Sequence, residues 1–200
     1  MGRRSDHTRD ELYFMALDAA EAIIRDDGFP ALTARKVASR IGYAPGTLYN
    51  IFRNQDELIL HLNARTLERL DAELRAVPVT GRPEADLAAL TTAYVRFIAG
   101  NATLWQVLFD HRLAGGEDLP AWYQAQIEQM MALVENALAP LFPMAGNASG
   151  RDAARLFWSA IHGVCSLAIG GKLGIVTSMP LDEAVARLTA ILLAGMRSEN

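Results

Sequence analysis

Cysteine is almost missing from this 200-residue chain: Cys165 stands alone. A single thiol excludes an intramolecular disulfide and any cysteine-based zinc site, and makes a reducing compartment the expected one. Long apolar runs are missing as well. The least charged stretch, "LFWSAIHGVCSLAIGG" (156–171), is 16 residues long and holds a histidine and three glycines. It falls short of the roughly 20 residues that span a bilayer, so it reads as a buried helix. The opening "MGRRSDHTRDEL" has no apolar core behind its arginines, which argues against a secretory or twin-arginine signal. A soluble, cytoplasmic protein without a membrane partner is expected. Alternating Val/Ile/Thr runs are nearly absent while Ala and Leu dominate, which excludes a sheet protein and predicts an all-α fold.

Acidic residues are missing from one window that is rich in cations. Between Asp27 and Asp56 there is none, yet Arg35, Lys36, Arg40 and Arg53 all lie there, in a chain whose formal net charge is −4. The same window holds "GYAPGTLYNIF" (42–52), with two glycines and a proline close together where the flanks read as helix. Two readings of the basic window stand at this point, a solvated face or a surface for an anionic partner.

What is present fills in the helices. With 51% hydrophobic and 21% charged residues the chain is globular, and it is long enough to bury a core. "TRDE" sets Thr8 three residues before Glu11, a capping box that opens a helix. Leu12, Ala16, Ala19, Ala20, Ile23 and Ile24 give that helix one apolar face, and Gly28 ends it. Thr33 begins a short second helix, "ARKVASRI", which Gly42 closes. A third starts at Pro45, which loses nothing at a first turn where amide hydrogens are unbonded anyway. Asn54 caps a fourth, striped by Leu58, Leu62, Leu67, Leu70 and Leu74. "VPVTGRP" (77–83) reads as a linker. Five further helices are expected at about 84–100, 102–113, 120–140, 151–171 and 180–197, broken at 99–101, 115–120, 139–150 and 174–180. The total is about nine helices, divided into a domain of residues 1–53 and a helical domain of residues 54–200.

"ARKVASRIGYAPGTLYNIF" fits a helix-turn-helix. With Ala34 as its first place, Ala38 takes the fifth, where two helices cross closely, and Gly42 the ninth, a turn that needs positive φ. Val37, Ile41, Leu48 and Ile51 supply the apolar contact between the helices. Such a unit lays its second helix in the major groove of DNA. That helix offers Pro45, Gly46, Thr47, Tyr49 and Asn50. Arg35 and Lys36 sit in the first turn of the helix before it, where the helix dipole disfavours cations and an external phosphate would compensate. Arg40, at that helix's end, suits either phosphate binding or the dipole alone.

With its capped first helix, its "VA…IG" pair and its "GTLYNIF", the stretch "TRDELYFMALDAAEAIIRDDGFPALTARKVASRIGYAPGTLYNIFRNQDELI" resembles the N-terminal DNA-binding domain of TetR-family transcriptional regulators. The resemblance covers about residues 8–60. It implies an all-α homodimer, usually a repressor released from DNA by a small ligand held in the C-terminal domain. It also implies that Thr33, Arg35, Lys36 and Tyr49 touch phosphates and that Thr47 and Asn50 face bases. Two departures stand out. Gln55 occupies a position where the family often has lysine, so one phosphate contact is expected to be weaker. Ala44 stands where a serine cap is frequent, and it cannot cap.

The C-terminal half says less. Small residues crowd 151–171 and 180–197, and these two segments are the expected homodimer interface, which suits a palindromic operator in double-stranded DNA. "FWSAIHG" (157–163) is similar to the Trp–His–Gly signature of one TetR-family C-terminal class. Trp105, Phe109, Trp122, Met130, Trp158 and His162, with Met131 beside them, are candidates to line a pocket for an apolar or aromatic effector. The other reading makes every one of them core or interface, with His162 a hydrogen-bonded core histidine and Cys165 simply packed. A catalytic site is not expected. Asp110, His111 and Arg112 are consecutive and point apart on a helix, and the four histidines lack metal spacing. Nor is a cofactor or metal. A helix-turn-helix protein controlled by a protein partner, or an activator, remains the alternative function.

Overall fold

The computed structural model describes residues 7–113, 118–142 and 147–198, with no side-chain description at 147 and 148. Among these residues the secondary structure is entirely helical: α1 (Arg9–Asp27), α2 (Ala34–Arg40), α3 (Pro45–Tyr49), α4 (Gln55–Arg75), α5 (Pro83–Gly100), α6 (Ala102–Asp110), α7 (Ala121–Leu138), α8 (Asn147–Ile169), α9 (Leu173–Val176) and α10 (Leu181–Ser198). Single 3-10 turns cover Phe29–Ala31 and Ala139–Leu141. None of these helices is long and apolar enough to cross a membrane. The breaks expected at 115–117 and 143–146, and the reading of residues 1–6, lie outside the described residues.

Three boundaries differ from expectation. The helix foreseen at 102–113 stops at Asp110, because His111 turns its ring to α4, with Nε2 2.8 Å from Asp56 Oδ1. The eighth begins at Asn147 instead of 151, its first turn taking Ser149 and Gly150, which a helix start tolerates. The four residues of α9 form one turn that runs into 174–180, read as a break, giving ten α-helices among the described residues where about nine were expected.

The chain divides into two compact units. One holds residues up to Thr66 together with Thr103–Tyr123, and the other holds Leu67–Ala102 together with Gln124–Asn200. The first unit is built around α1. Thr8 Oγ1 accepts from Glu11 N at 3.2 Å while Glu11 Oε2 accepts from Thr8 N at 2.6 Å, so the capping box is complete. Gly28 ends α1 with φ +83. Leu17, Ile23, Ile24, Val37, Ala38, Leu48, Phe52, Leu58 and Leu62 then form one buried core with Leu104 and Val107 of α6. Arg65 of α4 locks onto α1 through two 2.6 Å bonds, to Asp18 Oδ1 and Glu21 Oε2.

In the second unit α8 packs on α10 and both pack on α5. Its linker is more ordered than composition suggested. The buried carboxylate of Asp86 accepts from Thr80 N (2.8 Å), Thr80 Oγ1 (2.6 Å) and Gly81 N (3.0 Å). Those donors hold the Asp86 carboxyl below its usual pKa, the Thr80 hydroxyl contributing most.

Candidate nucleic-acid interface

The turn between α2 and α3 sets this surface. Gly42 has φ +80, and Tyr43 N donates to Ala38 O at 2.9 Å across it, a Schellman closure of α2. Ala38 and Val37 are fully buried, Leu48 meets them from α3, and Ile41 and Ile51 flank the seam. Pro45 opens α3 behind Ala44, which makes no side-chain cap. The short helix therefore keeps Leu48 inward and leaves Pro45, Gly46, Tyr49 and Asn50 exposed, with Thr47 half-exposed. Tyr49, at 54% exposure, is far outside the usual burial of a tyrosine ring. A Cβ added at Gly46 would meet nothing within 4 Å, so nothing inside the protein requires glycine there.

Charge around this surface corrects the simple picture of an acid-free window. Lys36 Nζ reaches Asp27 Oδ2 at 2.8 Å and Arg40 reaches Asp26 Oδ2 at 2.7 Å, both acids lying at the end of α1. The window lacks acid in sequence but borrows two aspartates in space. Lys36 thus spends part of its charge inside the unit, although exposed pairs of this kind are worth only about 0–1 kcal/mol. Arg35 is exposed and forms no ion pair among the described residues. Thr33 caps α2, accepting from Lys36 N at 3.1 Å. Gln55 turns inward: its Nε2 donates to Leu32 O at 3.0 Å, fastening the start of α4 to the loop before α2.

Two tethers were invisible in the sequence. His7 Nδ1 lies 2.6 Å from the Tyr43 hydroxyl, with the rings edge to face, and Arg9 donates to Ile51 O at 3.4 Å. Partners 36 and 42 residues apart leave no local pattern to read.

The six pocket candidates fall into separate groups. In the first unit Trp105 is buried edge-on to Phe109, while Trp122 stacks on His61 with centroids 4.9 Å apart. In the second, Met130 is buried in α7 and Trp158 stacks on His162 at 5.0 Å. His162 Nδ1 is 3.0 Å from the buried Tyr94 hydroxyl and its Nε2 is 2.9 Å from Ser166 Oγ, so both ring nitrogens are engaged. Burial holds the His162 pKa below its ordinary value and raises the Cys165 thiol to about 11. A groove of about 520 Å³ in the second unit is lined instead by residues of α4, the linker and α5, among them Ala76, Pro78, Ala89 and Arg96.

Comparison with known proteins decides the family. Residues 16–62 match the model for bacterial regulatory proteins of the tetR family, and residues 87–192, over half of the chain, match that for a tetracyclin repressor-like C-terminal domain. The chain belongs to the TetR family. The helix-turn-helix described above lies within the stretch that matches the regulatory-protein model. Over 93 residues it is 33% identical to the HTH-type transcriptional repressor KstR of Mycolicibacterium smegmatis, covering 46% of each chain. Over 96 residues it is 24% identical to the fatty acid metabolism regulator protein of Bacillus subtilis, covering 46% of this chain and 48% of that one. The matches thus span about half the length of these curated relatives. The fold is similar to that of FadR of Thermus thermophilus, a TetR-family repressor solved in complex with lauroyl-CoA: TM-score 0.67, 21% identity, 94% of this chain and 95% of that one.

Proposed function

We propose that this TetR-family regulator is a homodimeric repressor that binds a palindromic operator and leaves it when a small apolar effector binds. Residues 1–53 form the reading head and residues 54–200 the dimerisation and effector domain. In each head α3 enters the major groove, with Thr47 and Asn50 on base edges. Thr33, Arg35, Lys36 and Tyr49 contact phosphates, and Pro45 and Gly46 let the backbone come close. Gln55, already bonded to Leu32, adds at most a weak contact. The exposed faces of α8 and α10 join two copies. The observation that carries this reading is the Schellman turn at Gly42, which delivers a short helix whose outward face is polar and unneeded for internal packing.

The effector side draws on relatives. One is a fatty acid metabolism regulator and another was solved with lauroyl-CoA, so a long acyl thioester is the first compound to try. Its binding alters the separation of the two heads, so that both no longer engage. The protein acts in the cytoplasm, where its DNA is.

Selection of bound duplexes from a random pool tests the DNA half. The expected result is a palindrome with half-site centres about 34–36 Å apart or a multiple of that. Folded, dimeric protein that enriches no sequence overturns the reading. Adding lauroyl-CoA to the complex then tests release. A complex unaffected by acyl thioesters and other apolar compounds favours control by a protein partner.

A further inference from the structure

The turn between α3 and α4 carries a cation that the packing of its own unit does not use. Phe52 is buried and its N–H donates to Leu48 O at 2.8 Å, so the chain keeps a helical path just beyond α3. Arg53 therefore follows Tyr49, the exposed last residue of α3, by about one helical turn. Its backbone is fixed. Arg53 N donates to the Glu57 carboxylate, and Asn54 Oδ1 accepts from Glu57 N at 2.8 Å, which closes the start of α4. Its side chain is exposed and forms no ion pair among the described residues. The two acids that follow are directed elsewhere, Asp56 Oδ1 to His111 Nε2 at 2.8 Å and Glu57 to the Arg53 backbone. Nor does α4 gain from the charge. A cation just ahead of a 21-residue helix stands at the positive end of its dipole, which disfavours it.

From this we infer that Arg53 is a further phosphate-binding residue of the reading head: its guanidinium binds a DNA backbone phosphate at the border of the groove that α3 enters. The five residues of α3 are about 7.5 Å long and the major groove is about 12 Å wide, so the turn after α3 comes up against the phosphate wall. A guanidinium offers two parallel N–H donors to the phosphate oxygens, and a backbone already held by Glu57 lowers the ordering cost of the contact. The contact is sequence-independent, because a phosphate carries no base information. It also answers an electrostatic need. The whole chain is net −4, Lys36 and Arg40 are paired with Asp27 and Asp26, and Arg9 donates to Ile51 O. Arg53 adds to Arg35 a second cation outside those pairs. The inference rests on α3 docking in the major groove.

The test uses full-length protein, the selected operator and a random duplex, with affinity measured across a series of salt concentrations. Arg53→Ala is expected to weaken both duplexes by the same factor while its urea midpoint stays at the wild-type value. It should also flatten the plot of log K against log salt by about 0.9 per lost phosphate contact. Arg53→Lys keeps the charge and loses the fork, so it should keep the slope and bind with an affinity between the other two. An alanine variant with wild-type affinity and slope overturns the assignment. A loss confined to the operator, with the slope unchanged, makes Arg53 a reader of bases and overturns it as well. So does a lowered urea midpoint with an unchanged slope, which makes Arg53 a structural residue. Wild-type protein that binds no duplex overturns the α3 reading together with this one, and that outcome is distinct from the other three.

Discussion

Gly42 and Gly46 stand four residues apart and are glycine for different reasons. A Cβ at either meets nothing within 4 Å, so packing excludes a side chain from neither. Gly42 has φ +80, where an L-residue is strained by about 1–2 kcal/mol. Gly42→Ala should therefore lower the unfolding free energy by that much, read as a lower urea midpoint with little change in the denaturant slope. Gly46 lies in α3 outside the positive-φ set, where alanine is the better helix former by up to about 1 kcal/mol. Gly46→Ala should leave stability unchanged or raise it, yet weaken operator binding, because in the proposed docking of α3 the added methyl meets DNA. Urea unfolding and operator titration of both variants separate the two cases. Wild-type operator affinity in Gly46→Ala would show that the glycine does not mark a close backbone approach.

Between elements, the joint of α5 and α8 turns on one imidazole. His162 bonds Tyr94 from across the unit and Ser166 one turn along its own helix, and burial keeps its pKa below the ordinary 6.5. The folded state thus prefers the neutral ring. Its contribution is complete above about pH 6.5 and is lost as pH falls from there through the lower folded value. Urea unfolding at pH 7.5 and 5.5 should show the wild type losing stability on acidification, and His162→Gln losing less. His61, depressed by burial in the same way, accounts for part of what remains. Equal losses in both proteins would mean that folding does not change the proton affinity of His162. The contrast with what the sequence disclosed is instructive. The Thr8–Glu11 box, the turn at Gly42 and the leucine stripe of α4 are written within a few residues, and all are present. Tyr94 and His162 are 68 residues apart, and the aspartates that neutralise Lys36 and Arg40 come from another helix. Periodicity and capping rules see neighbours along the chain, so a window could look free of acid while its cations were paired. The end of α6 was misjudged for the same reason, since His111 stops extending the helix in order to meet Asp56.

At the scale of the whole molecule, the proposed homodimer requires a face for a second copy to cover. Leu156 on α8 is 69% exposed and Ile191 on α10 is 60% exposed, which is unusual for large aliphatic side chains. Gly163 and Gly195 lie on the same two helices, and an added Cβ at either meets nothing. A single chain has no use for glycine within an exposed helix, where it costs about 1 kcal/mol relative to alanine. Two copies related by a two-fold axis do, because small residues let helix axes approach and the same face serves both partners. Leu156→Arg replaces an exposed side chain, so the fold of the single chain should survive while the apolar contact is lost. Sedimentation should then show monomer at concentrations where the wild type is dimeric. The melting temperature of the wild type should rise with protein concentration and that of the variant should not, since association stabilises only what associates. Operator affinity should fall steeply in the variant while binding to an isolated half-site stays close to wild type, because α3 and its surroundings are untouched. A variant that remains dimeric would move the interface off this face and leave Gly163 and Gly195 without that explanation. A variant that is monomeric yet binds the full operator as tightly as before would show that the two half-sites are read independently, and the palindrome would then owe nothing to protein symmetry.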